Sequence, residues 1–61
     1  MHYEVVVGNL GTVYAGPSQH FAMTAYRHYV GESMAHYGRA ADEPVTLLAD
    51  NEIVLEHAIH E

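Results

Sequence analysis

The first stretch of the chain, His2-Tyr3-Glu4-Val5-Val6-Val7, begins with alternating polar and apolar residues and ends in three valines. Alternation is the period of a strand, which sends successive side chains to opposite faces. Residues 2–7 are therefore expected as a strand with Tyr3, Val5 and Val7 on one face. Gly8-Asn9-Leu10-Gly11 has the composition of a turn, and residues 12–15 return as a second strand, closing a β-hairpin. After Gly16-Pro17-Ser18 the period changes. Proline has no N–H to lose in the first turn of a helix, and Ser18 is suited to cap one. At about 100° per residue, Phe21, Ala22, Ala25, Tyr26, Tyr29, Val30, Ser33 and Tyr37 fall on one stripe centred near Tyr29. His20, Thr24, Arg27 and Gly31 lie opposite. The helix is expected to run to about Tyr37, with Gly38 as a left-handed cap. Gly31 costs about 1 kcal/mol relative to alanine in a helix, so either a close backbone approach or an irregular helix is expected there.

Residues 39–43 read as a loop, and Pro44 suits the entry to a strand. Residues 45–49 and 52–58 then read as two further strands. Asp50-Asn51 between them is a two-residue hairpin turn, since Asn tolerates positive φ. The order is ββαββ. It predicts a single α+β domain over residues 1–61, a four-stranded antiparallel sheet with one helix packed on one face. Tyr3, Val5, Val7, Val13, Val45, Leu47, Ile53 and Leu55 are expected to meet Phe21, Ala25, Tyr29 and Val30 in the core. The strand order stays open, because two hairpins can join through either edge.

No second helix is available for the other face of the sheet. Strict alternation places His2, Glu4, Val6, Thr12, Tyr14, Thr46, Leu48, Glu52, Val54 and Glu56 there. Val6, Leu48, Val54 and Tyr14 make it more apolar than a solvated face requires, and such patches mark interfaces. Met23 and Met34, beside the helix stripe, are a second candidate surface. Scattered exposed apolar residues are the bland alternative.

Size sharpens this. A chain of 61 residues buries only about 60% of the surface its unfolded form exposes. Domains this small often add disulfides, a metal or a partner subunit. The chain has no cysteine, which removes disulfides and thiolate zinc sites and is compatible with a reducing, cytoplasmic location. Self-association is therefore expected, as a homo-oligomer.

Charge narrows the partners. Arg27 and Arg39 are the two basic residues against eight acidic ones, for a formal charge of −6. Two arginines cannot build the positive patch that nucleic-acid backbones or anionic membranes require. No apolar run approaches the ~20 residues of a membrane helix, and Met1-His2-Tyr3-Glu4 lacks the basic region of a secretory signal. Asp42, Glu43, Asp50, Glu52, Glu56 and Glu61 all follow Arg39, and no Lys or Arg follows it. The C-terminal third is an acidic surface. It could dock a basic partner, even by imitating nucleic-acid phosphates, or simply confer solubility and protect an edge strand.

Candidate chemistry is sparse. Six histidines are present. His28, Glu32 and His36 recur at i, i+4, i+8, but the two histidines would be about 12 Å apart along a helix axis. One ion cannot reach both, so paired polar contacts are the simpler reading. His2, His57 and His60 could cluster only if their strands were neighbours. No metal site and no cofactor is expected. Histidines gain charge near pH 6, so solubility or oligomeric state is expected to change between about pH 7.5 and 5.5. Ser18 and Ser33 stand in no nucleophile elbow, and Gly8-Asn9-Leu10-Gly11 does not join a strand to a helix as a phosphate loop does. Enzymatic activity is not expected. Arg39 follows the helix C-terminus, where a cation is favoured. It could alternatively grip a carboxylate or phosphate in a bidentate contact.

The segments Glu4-Val5-Val6-Val7-Gly8-Asn9-Leu10-Gly11-Thr12-Val13-Tyr14, Tyr26-Arg27-His28-Tyr29-Val30 and Gly38-Arg39-Ala40-Ala41 resemble short uncharacterised accessory proteins of bacteria and their phages. The resemblance spans nearly the whole chain and brings no assigned activity. It implies a small intracellular accessory protein, of a class that often binds and inhibits host proteins. The expectation is a non-enzymatic binding protein that uses Val6, Tyr14, Leu48, Glu52, Val54, Glu56 and Arg39 as contact residues. Two alternatives remain: a self-assembling module, and a small-ligand or metal site built between subunits.

Overall fold

A computed structural model describes residues 1–35, 38 and 41–58. The elements are β1 (Tyr3–Val7), β2 (Gly11–Gly16), α1 (Gln19–Ala35), β3 (Val45–Ala49) and β4 (Glu52–His57). They form the expected α+β arrangement, a four-stranded antiparallel sheet in the order β2-β1-β3-β4. The two hairpins join through their first strands, so β1 and β3 are central and β2 and β4 are the edges.

Each turn has the local chemistry it needs. Gly11 has φ 80°, and Asp50 and Asn51 have φ 49° and 68°, the paired positive values of a tight hairpin turn. The helix starts where a cap is available. Ser18 Oγ accepts the N–H of Phe21 at 3.1 Å, satisfying one of the donors left free in a first turn. Tyr14 fixes the same corner: its hydroxyl receives the Ser18 N–H at 3.2 Å and faces the Ser18 carbonyl at 3.3 Å. Beyond the helix, Gly38 has the cap-like φ of 85°. His36, Tyr37, Arg39, Ala40 and residues 59–61 lie outside the described residues, as does the expected end of the helix at Tyr37.

The core is small. Val5, Val7, Ala22, Val45 and Leu47 are fully buried, with Tyr3, Val13, Tyr14, Met23, Ala25, Tyr26, Tyr29 and Val30 packed around them. The helix lies over β1, β3 and β2. Its innermost residues are Ala22 and Ser33, small side chains that let it approach the sheet closely.

Three residues expected in the core are outside it. Phe21 is 62% exposed because it sits about 100° around the helix from Ala22, beyond the stripe that faces the sheet. Ile53 and Leu55 are 61% and 38% exposed because β4 is the edge strand that the helix leaves uncovered. Gly31 likewise departs from expectation. No atom comes within 4 Å of the position a Cβ would take, and the helix runs through it without interruption.

Two β-bulges explain the remaining differences. The β1–β2 register pairs Val5 with Tyr14 and Val6 with Thr12, so Val13 is the extra residue. The β3–β4 register pairs Leu47 with Leu55 and Leu48 with Ile53, leaving Val54 extra. An extra residue resets which face the following side chains take.

Candidate binding surface

Directly paired residues share a face of a sheet, so the register assigns each side chain. The open face carries Ala15 and Thr12 from β2, Glu4 and Val6 from β1, Thr46 and Leu48 from β3, and Ile53 and Glu56 from β4. His2 lies beside Glu4, with its Nε2 3.1 Å from Glu4 Oε1. Val6, Leu48 and Glu56 are thus on the expected face, and Ile53 joins them.

Tyr14 does not belong there. Its partner is the fully buried Val5, and its hydroxyl is committed to Ser18, so it lies on the helix side. Glu52 also moves: it pairs with Ala49, on the helix side but beyond the helix. Both departures come from the bulges, which break the alternation that had been extended along β2 and β4. Val54 sits at a bulge and is 55% exposed. Arg39 lies outside the described residues.

The surface therefore centres on β4 rather than on the middle of the sheet. Ile53, Val54 and Leu55 are three consecutive apolar residues, all exposed and bracketed by exposed Glu52 and Glu56. Ile53 faces the open side and Leu55 the helix side, so both sides of this edge are apolar. Sequence reasoning assigned Ile53 and Leu55 to the core. The signal that could have flagged them is the unbroken apolar triplet, which fits neither a half-buried alternation nor an isolated solvated strand.

Glu56 acts on the helix as well. Burial, and secondarily the negative charge of Glu56, push the Tyr26 phenol above its usual range. At the opposite end of the sheet the first residues are tied to the second hairpin. The Asp50 carboxylate accepts the His2 N–H at 2.9 Å, and the Asp50 N–H donates to the His2 carbonyl at 2.7 Å.

The described histidines do not converge. His57 pairs with Val45 at one end of β3, whereas His2 lies beside Asp50 past the other end, and His36 and His60 are outside the described residues. His28 and Glu32 form one i,i+4 contact of 2.8 Å on the helix. Among the described residues no group of three or more His, Asp or Glu could hold a metal ion, and no helix is long and apolar enough to cross a membrane. A furrow of about 340 Å³ is lined by Gln19, His20, Met23, Thr24 and Arg27. All five come from one helix, so its floor is helix surface with no second element to enclose a ligand. Comparison with protein-family models, curated proteins and solved structures finds no match to this chain.

Proposed function

We propose that this chain is a non-enzymatic binding protein, of the phage-accessory kind, that contacts a protein partner through the open sheet face and the acidic β3–β4 hairpin. The observation that carries this reading is the exposed Ile53-Val54-Leu55 triplet between Glu52 and Glu56. Leaving three adjacent apolar residues in water forfeits stabilisation that a domain with so small a core can ill spare. Acidic residues on both flanks favour a partner of opposite charge. The test is a pull-down from a host lysate with the wild-type protein and with the double variant Glu52→Lys, Glu56→Lys. A partner retained by the wild type and lost by the variant, at unchanged circular dichroism and melting temperature, is the expected result. Equal retention by both removes the hairpin from the reading.

Self-association through the open face is a second reading. It is favoured by Val6, Leu48 and Ile53, which lie on three adjacent strands, Leu48 paired with Ile53 and Val6 diagonal to Leu48, on the side that no element covers among the described residues. Sedimentation equilibrium at micromolar concentration separates the two: a monomer leaves only the hetero-partner reading.

A further inference from the structure

Resting on that reading, we infer that the partner supplies an extended segment, apolar at its centre and carrying Lys or Arg at both ends, which pairs with β4 as a fifth strand. The argument begins with the two edges of the sheet. β2 is flanked by glycines, its Val13 and Tyr14 pack against the core, and the helix lies over it. Among the described residues β4 has no comparable cover from the helix. Its outer backbone N–H and C=O groups make no hydrogen bond to another element among the described residues. A strand edge of this kind is a template for a further strand.

The side chains then specify what that strand carries. Ile53 on the open side and Leu55 on the helix side each offer an apolar neighbour to an incoming residue, so its central residues are apolar on both faces. Glu52 and Glu56 stand on either side of this triplet, on opposite faces, and among the described residues neither has an arginine beside it: Arg27 is on the helix and lines the outer furrow. Opposite charges directly across a strand pair stabilise it, and like charges destabilise it.

Charge also argues against a second copy as the occupant. Two β4 strands paired antiparallel gather Glu52 and Glu56 of both copies, four carboxylates, along one seam with no Lys or Arg on either strand. Each copy also brings a formal charge of −6. The bulge at Val54 adds twist that discourages indiscriminate pairing with flat strands, so the flanking charges decide which segments are accepted.

The experiment is an NMR titration of the isotopically labelled full chain with two blocked synthetic peptides at low salt. One carries Lys-Arg before and Arg-Lys after a Val-Ile-Val centre. The other has Glu and Asp in place of the four basic residues. The expected result is slowed amide exchange within 52–57 on adding the basic peptide, with affinity about tenfold or more above that of the acidic one. Glu52→Lys with Glu56→Lys should reverse that preference. Shifts confined to Val6, Thr46 and Leu48, without protection of β4, would overturn the fifth-strand inference and leave the binding-face reading standing. So would β4 protection that grows with protein concentration in the absence of peptide, since the occupant would then be a second copy. Equal affinity for both peptides, or none for either, also overturns it. In that case a pull-down that still depends on Glu52 and Glu56 keeps the broader reading, and one that does not removes both.

Discussion

Ser33 is 2% exposed, and its hydroxyl has no hydrogen-bond partner among the described residues. A buried polar atom in that position loses its hydration and recovers nothing. Alanine removes the hydroxyl and is the better helix former. Ser33→Ala is therefore expected to stabilise the fold by roughly 0.5–1 kcal/mol, measured by urea denaturation. Tyr26 gives a pH dependence at the same scale. Its phenol is raised above 10.0, first by burial and then by the charge of Glu56. A raised acid is held neutral by the fold, so its contribution is complete below the unfolded value. It is lost as the pH climbs through the folded one. Stability should thus fall above about pH 10 more steeply for the wild type than for Tyr26→Phe. Glu56→Gln should recover only the smaller part of the difference, because burial is the larger cause. Paired denaturation curves between pH 8 and 11 test the sign.

The helix and the corner that starts it make separate predictions. Gly31 is exposed, has open space where a Cβ would go, and lies inside a continuous helix. Gly31→Ala should raise stability by about 1 kcal/mol, seen as a higher melting temperature with unchanged peptide binding. Tyr14 links β2 to the helix start through both backbone groups of Ser18. Tyr14→Phe keeps the ring in the core and removes that link, at an expected cost of about 1 kcal/mol. This residue shows where the sequence was legible and where it was not. The hairpins, the capped helix and the tight Asp50-Asn51 turn followed from local periodicity and turn chemistry, which act within a few residues. The side of the sheet taken by Tyr14 did not, because the Val13 bulge is set by pairing with β1. Nothing local distinguishes Val13 or Val54 from an ordinary β-branched strand residue.

At the scale of the whole molecule, one helix is shared among four strands and covers three of them. This arrangement makes β4 the exposed edge, and strand order was the one feature that the two hairpin patterns left open. Of the residues singled out for the proposed surface, Val6, Leu48 and Glu56 lie on the expected face, whereas Tyr14 and Glu52 lie on the helix side and Val54 sits at a bulge. The surface's centre of gravity was not readable. Ile53 and Leu55 look like core residues until β4 is put at the edge and the bulge turns Ile53 over. Arg39 was singled out on local grounds alone and lies outside the described residues.

The seam between β1 and β3 has a consequence for how the chain reaches this state. Both turns are local, but the seam pairs Tyr3 with Ala49 and Val7 with Val45, and His2 with Asp50, 48 residues away. Lone hairpins are marginal in water, so neither can wait, fully formed, for the other. The chain must close its longest loop before the core rewards it. The transition state is therefore expected to contain β1, β3 and the helix, with the outer strands added afterwards. In stopped-flow kinetics Leu47→Ala should slow folding by about tenfold, whereas Leu55→Ala should act mainly by speeding unfolding. An edge that forms last is also expected to open first, which would put β4 at the low end of the molecule's local stabilities.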